Sequence, residues 1–219
     1  DPHGPGGQTC VTEQAMTELI EQAARSRGKQ TKVVRPVFAL RGGALSLLLP
    51  AFEAARALGA EVSRVPRALK AAAAAQREYQ DQLLRLGREA LAWAREQQVP
   101  VVLVCGSLHV IHEPAINATI PQLIRQHGAL PVPMDAFPMP ACPAPGLEKV
   151  YWADPNRYLR AAAAARQTRD VFPLMLSSFG CGPASFNEPI FQQLLLGYPH
   201  TILESDGHGG TAGYVTRIQ

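Results

Sequence analysis

The residues best suited to chemistry fall in one stretch, Ser177-Ser178-Phe179-Gly180-Cys181-Gly182-Pro183-Ala184-Ser185-Phe186. The apolar run 171–177 that leads into it reads as a buried strand. Ser185 and Glu188 have the S-x-x-E spacing of a capping box, which predicts a helix over 186–196. Cys181 therefore stands at or just before a helix N-terminus, where the dipole and free N–H groups favour a thiolate. A thiolate is what an iron–sulfur cluster or a nucleophile needs. Gly180 and Gly182 let backbone amides approach the sulfur, or a cluster sulfide, closely. A second apolar run, 200–204, ends in Asp206-Gly207-His208-Gly209-Gly210-Thr211, where Asp206 and His208 can bind a substrate phosphate or hold the loop.

Other candidates are scattered. Cys10, Cys105 and Cys142 are the remaining cysteines, tens of residues apart, with no C-x-x-C among them. That excludes zinc-ribbon and ferredoxin spacings but not a cluster built from distant loops. Cys105 ends an apolar run and reads first as a structural thiol; Cys142, among prolines, is open. Ser107, His109 and His208 are the candidate catalytic groups. His109 and His112, three apart, could ligate a metal or donate a proton. With Asp135 and His208 they form an alternative hydrolytic metal site. No G-x-x-x-x-G-K-[ST] and no strand-borne G-x-G-x-x-G occurs, so no nucleotide is expected on this chain. No G-x-S-x-G elbow occurs either.

The elements that must position these groups follow from composition and periodicity. The chain has 219 residues, 47% hydrophobic and 18% charged, enough for one sizeable core or two small ones. Its net charge of +3 is dispersed, which gives nucleic-acid binding little support. No apolar run reaches the roughly twenty residues a spanning helix needs, and no secretory signal pattern occurs, so a cytoplasmic protein is expected. It begins at Asp1, and is expected to be a piece of a longer polypeptide.

In chain order, a Gly/Pro-rich arm over 1–10 precedes a helix from Thr12, as its cap, to about Arg27, stopped by Gly28. A strand is predicted over 32–39, a glycine turn at 41–43, a short helix over 50–58 and a short strand over 61–65. The segment 67–98 reads as a long helix. Then the pattern becomes regular: strand 99–104, helix 115–126, strand 129–134, a Pro-rich loop, and a helix to about Arg169. That last helix takes Asp154 as N-cap and Pro155 as N1. Strand 171–177, helix 186–196 and strand 200–204 complete it. Such alternation predicts an α/β fold, parallel sheet flanked by helices, Rossmann- or flavodoxin-like, with room for two small subdomains. The expected division is 1–66, an arm with a smaller α/β part; 67–98, a connecting helix; and 99–219, the domain carrying the Cys181 turn. Ligands in such sheets bind outside the carboxyl ends of the strands.

The chain also carries a resemblance. Residues 179–186, then Leu203-Glu204-Ser205-Asp206-Gly207-His208-Gly209-Gly210-Thr211-Ala212-Gly213 and Thr216-Arg217-Ile218, resemble the acyl-CoA dehydratase activase-related proteins. These are relatives of the iron–sulfur component of 2-hydroxyglutaryl-CoA dehydratase, in the 2-hydroxyacyl-CoA dehydratase family. Residues 101–114, with Asn117, Pro121, Gly128 and Asp135, are similar to that family's strand–loop–helix–strand unit. Gly6-Gly7-Gln8-Thr9-Cys10 is similar to a Gly-Gly-x-x-Cys stretch of its longer members.

The resemblance implies a 4Fe–4S cluster and a place in anaerobic metabolism. Single electrons would come from an activase ATPase of actin-like fold, in the same longer polypeptide or a separate subunit, and act on an acyl-CoA substrate. It implies Cys181 as a cluster ligand and Cys10 as a second, the rest coming from Cys105, Cys142 or another segment. The turn at 41–43 lacks a cysteine found in longer members. The leading expectation is the cluster-bearing, substrate-side domain of an ATP-dependent, low-potential electron-transfer system. The alternative is a cluster-free scaffold that docks an activase partner.

Overall fold

Four apolar runs become four strands: β1 (Val101–Cys105), β2 (Leu130–Pro133), β3 (Val171–Ser178) and β4 (Thr201–Ser205). The computed structural model describes residues 8–30, 32–38, 43–117, 119–139, 146–147, 150–205 and 212–218. Arg41, Gly42, Cys142, Asp206 and His208 lie outside the described residues.

All three strand pairings are parallel, in the order β2-β1-β3-β4. Parallel strands need crossovers, and helices supply them. These are α5 (Leu108–His112) and α6 (Ile120–Gln126) between β1 and β2, α7 (Ala153–Thr168) before β3, and α8 (Gly182–Leu194) before β4; α9 (Ala212–Ile218) follows. The fold is the α/β parallel sheet flanked by helices that the alternating pattern predicts. α7 packs on β1 and β3 beside α8, while α6 packs on β2 beside α9. Val101, Leu103, Val104, Val171, Leu174, Met175 and Leu176 are buried between these layers, which is why β1 and β3 read as continuous apolar runs.

The described residues divide into two compact units, 82–218 with Gln8, and 9–81. The division falls inside α4 (Val65–Glu96), a single 32-residue helix rich in alanine and other strong helix formers. In the first unit a side-chain carbon on Gly87 of α4 would lie 1.8 Å from the Ala136 carbonyl oxygen. Only glycine allows that approach of helix to loop.

The second unit contains α1 (Val11–Gln14), α2 (Met16–Ser26), α3 (Ala44–Ala57) and a 3-10 turn, Val62–Arg64. Several expectations are corrected here. The first helix is capped by Cys10 in a capping box with Glu13, not by Thr12; the carboxylate accepts from the Cys10 N–H at 3.2 Å. The run 32–38 is not a strand. Among its described residues the unit holds no other strand to pair with, and side chains hold the segment instead. Arg35 pairs with Glu18 at 2.9 Å and with Glu21, and Lys32 donates to the Ala57 carbonyl. The helix expected over 50–58 starts earlier, at Ala44, and carries Pro50 inside it. Residues 62–64 form a 3-10 turn rather than a strand.

In the first unit three helix starts move. The loop after β1 contains α5, and α6 begins at Ile120 rather than near Ala115. α7 begins two residues early, with Trp152 as N-cap. α8 begins at Gly182, with Cys181 rather than Ser185 as N-cap. α9 occupies residues that the sequence reading left without an element.

Candidate active-site crevice at the strand ends

The strand order reverses between β1 and β3: the chain steps from β1 to β2 on one side, then returns to β3 on the other. In open parallel sheets the loops diverge at such a point and open a crevice for ligands. Here the two loops are Gly106-Ser107 and Phe179-Gly180-Cys181. The crevice between them is lined by Gly106, Ser107, Tyr158, Ser177, Ser178 and Cys181, among others, and its free volume is about 10 Å³. That holds about one water.

Local geometry explains how Cys181 reaches it. The Cys181 N–H donates to the Ser178 carbonyl at 3.0 Å, closing a turn in which Gly180 takes φ +76°. A positive φ at the third turn position is a glycine conformation. The Cys181 carbonyl then accepts the first helical hydrogen bond of α8, from the Ser185 N–H at 3.0 Å. Pro183 sits in the first turn, where no N–H is missed. The side chain is partly exposed. Gly106 is held from the other side: a side-chain carbon there would meet the Leu176 carbonyl oxygen at 2.3 Å.

Beneath Cys181 lies Tyr158, on α7, 1% exposed. Its hydroxyl has no hydrogen-bond partner. Burial pushes the phenol well above its ordinary pKa, and Cys181, Cys105 and Glu188 push it further. Ser177 Oγ and Glu188 Oε1 are also buried without hydrogen-bond partners. Burial raises the Glu188 carboxyl above its usual range and Glu204 adds to this; the nearby Ser177 hydroxyl favours the charged form and works the other way. The phenol and carboxyl are thus both shifted toward their neutral, proton-carrying forms.

Residues 3–137 match the family described as the CoA enzyme activase uncharacterised domain (DUF2229). The chain belongs to this family. It is an acyl-CoA enzyme activase-related protein, and such a role implies an enzyme component as partner. No curated protein and no solved structure matches the chain. In this activase-family chain the match spans Cys10, α4, β1, β2 and Asp135, and ends before the Cys181 turn.

The expected site residues are distributed as follows. Ser107 is the N-cap of α5 and lines the crevice opposite Cys181. Gly180 and Gly182 flank the sulfur, with nothing within 4 Å of a side-chain carbon built on either. Cys105, at the end of β1, is fully buried, and burial pushes its thiol far above the ordinary range. Cys10 heads α1 in the other unit. His109 is exposed. His112 meets Asp135, its Nε2 3.1 Å from Oδ2 and 3.2 Å from Oδ1. Two members of the alternative hydrolytic set are therefore together. Among the described residues no group of three or more His, Cys, Asp or Glu is placed to hold a metal ion. Tested against a 4Fe–4S cluster, the Cys181 neighbourhood fits one thiolate corner and not a complete ligand set. No described helix is long and apolar enough to cross a membrane.

Sequence reading did not find Tyr158 or Glu188 as site residues. The signal for Tyr158 was a lone aromatic in the Ala-rich helix 153–168.

Proposed function

We propose that this chain is the iron–sulfur-bearing, substrate-side part of an ATP-dependent, low-potential electron-transfer system of the 2-hydroxyacyl-CoA dehydratase kind. Its partner is an activase ATPase of actin-like fold. The single observation that carries this reading is the placement of Cys181. It caps a 13-residue helix, is partly exposed, and stands at the crevice where the strand order reverses. A helix N-terminus favours a thiolate over a thiol, and membership of the activase family supports an activase-related role.

When bound, the cluster supplies single-electron transfer to the acyl-CoA. The chain's own residues do the rest. Cys181 would be one ligand of the cluster, and Gly180 and Gly182, with nothing within 4 Å of a side-chain carbon built on either, would leave the space beside its sulfur open. Cys10, on the other unit, and Cys142 are the remaining candidate ligands. Cys105, fully buried at the end of β1, presents no exposed sulfur to a cluster at the crevice.

Iron and sulfide analysis of anaerobically purified protein tests the reading. Both should be present, with broad visible charge-transfer absorption; Cys181→Ala should lose them and Cys105→Ala keep them. Wild-type iron in Cys181→Ala overturns the ligand assignment. No iron in the wild type, with activase binding that survives chelation, identifies a cluster-free scaffold instead. Zinc in place of iron points to the His112–Asp135 pair.

A further inference from the structure

The sheet face that carries α6 and α9 is incompletely covered. α6 packs on the outer strand β2, α9 packs on the outer strand β4, and the two helices touch. Between them the amino ends of the central strands stay open. Val102 of β1 and Phe172 of β3 are neighbours in register and only half-buried. Their sequence neighbours Val101, Leu103 and Val171, which point to the other face, are buried. Central strands of a parallel sheet are ordinarily covered on both faces. The gap is a solvent-open hollow of about 610 Å³, within the roughly 300–1,000 Å³ of small-molecule sites. It lies wholly in the first unit, at the opposite end of the strands from Cys181.

Its floor is apolar and its rim is suited to an anion. Val102, Phe172, Leu174 and Thr201 share this face by register and alternation, and all four line the hollow with Ile218 of α9. Phe172 is held in place. Its ring stacks on Tyr198 at 5.9 Å and 21°, and the Tyr198 hydroxyl donates to the Val171 carbonyl at 2.9 Å. His127, His200 and Arg217 also line the hollow, and among the described residues no carboxylate does. His200 Nδ1 lies 2.7 Å from the Tyr198 carbonyl oxygen, which can only accept, so Nδ1 carries the proton and Nε2 is left over. Arg217 is exposed, and one of its nitrogens reaches the Ile202 carbonyl at a long 3.4 Å. The rest of its fork is unengaged among the described residues.

We infer that this hollow binds a small amphipathic carboxylate, its apolar body on Val102, Phe172 and Leu174 and its charged head on Arg217. A guanidinium fork matches the two oxygens of a carboxylate, and the Thr201 hydroxyl and His200 Nε2 stand in the same wall. Glu188 and Glu204 line an adjoining hollow that shares His200, Thr201 and Arg217. Their charges repel a carboxylate displaced that way, which keeps the head on the apolar side. The inference does not rest on the iron–sulfur reading, because none of these residues belongs to the Cys181 crevice.

Titration of methyl-labelled protein with 2-naphthoate, followed by NMR and calorimetry, tests the site. Binding should saturate and shift the Val102 and Ile218 methyl signals. Arg217→Met should weaken it about tenfold, the loss of one charge-assisted hydrogen bond. Val102→Phe, which fills the floor of the hollow, should abolish it. Arg217 is exposed, so its variant remains decisive even where Val102→Phe fails to fold. The uncharged 2-naphthamide should bind at least tenfold more weakly than the acid. Equal binding of the amide overturns the assignment of an anion. Affinity for 2-naphthoate that Arg217→Met leaves unchanged, or no saturable binding at all, overturns the site. Methyl shifts that follow protein concentration instead of ligand would identify a second copy of the chain as the occupant and overturn it too. Protein free of iron that still binds 2-naphthoate in this pattern would sink the cluster reading and leave the carboxylate site standing.

Discussion

Gly106 approaches Leu176 so closely that a side-chain carbon at 106 would lie 2.3 Å from the Leu176 carbonyl oxygen. This contact joins the end of β1 to β3 at the point where the strand order reverses. The obstacle is backbone, which cannot rotate away as a side chain can. Gly106→Ala should therefore cost about 2 kcal/mol, as overpacking does, and disturb the crevice. Urea unfolding measures it. Gly87→Ala, facing the Ala136 carbonyl oxygen at 1.8 Å, should cost at least as much.

Gly182→Ala provides the contrast. Nothing lies within 4 Å of a side-chain carbon there, and the residue is the first of α8. Stability should stay level or rise by up to about 1 kcal/mol. Iron content in this variant then reports on amide access to the cluster, free of any folding defect. An unfolding midpoint well below wild type would contradict the open space around this position.

Thiol accessibility should separate the cysteines. Cys181 and Cys10 are partly exposed and Cys105 is fully buried. In metal-free native protein, iodoacetamide should label Cys181 and Cys10, and Cys105 only after denaturation; peptide mass spectrometry distinguishes them. Labelling of Cys105 in the native state would show that the end of β1 opens.

The centre of the sheet was legible because β1 and β3 are buried along most of their length. Runs such as Val101–Cys105 and Val171–Ser178 then carry almost no polar interruption. The run 32–38 also carries valines and a phenylalanine, with Lys32, Arg35 and Pro36 among them, yet strand formation needs a neighbour, and local sequence cannot report one. Helix starts near the site were misread for a related reason. Ser185 and Glu188 have capping-box spacing, but Pro183 is already suited to a first turn and Gly180 already permits the bend. The helix therefore begins at Gly182 with Cys181 as its N-cap, ahead of the start that the Ser185 motif implied. The orphaned Tyr158, Ser177 and Glu188 oxygens come from separate elements, so no spacing rule could unite them.

Arg95 near the end of α4 pairs with Asp170 just before β3. The Arg95 hydrogen bond is the main reason the Asp170 carboxyl titrates below its ordinary value, against a smaller opposing effect of burial. A depressed folded-state pKa contributes stability above the unfolded value, near 3.8, and loses it as pH falls through the folded value. Both side chains are about half exposed, so the contribution is small and screened by salt. Arg95→Met should lower stability slightly at neutral pH and make the acid limb of the stability curve shallower. Thermal melts from neutral pH down to about pH 2 measure this; an unchanged acid limb would show that the pair contributes nothing.

Glu188 has the opposite sign. Burial, and then Glu204, raise its carboxyl in the folded state above the ordinary value of 4.5, while Ser177 pulls it back. Between the unfolded and folded values the native state binds more protons than the unfolded one, so stability falls as pH rises through that window. Above it the folded protein holds a carboxylate that it disfavours. Glu188→Gln removes the ionisation and keeps the shape. It should therefore be more stable than wild type at pH 7 and indistinguishable from it well below pH 4.5, with the difference opening across the window. Chemical denaturation at a series of pH values tests it. A difference that is constant with pH would mean that Glu188 acts through packing, and a wild type more stable at pH 7 would reverse the sign of the shift.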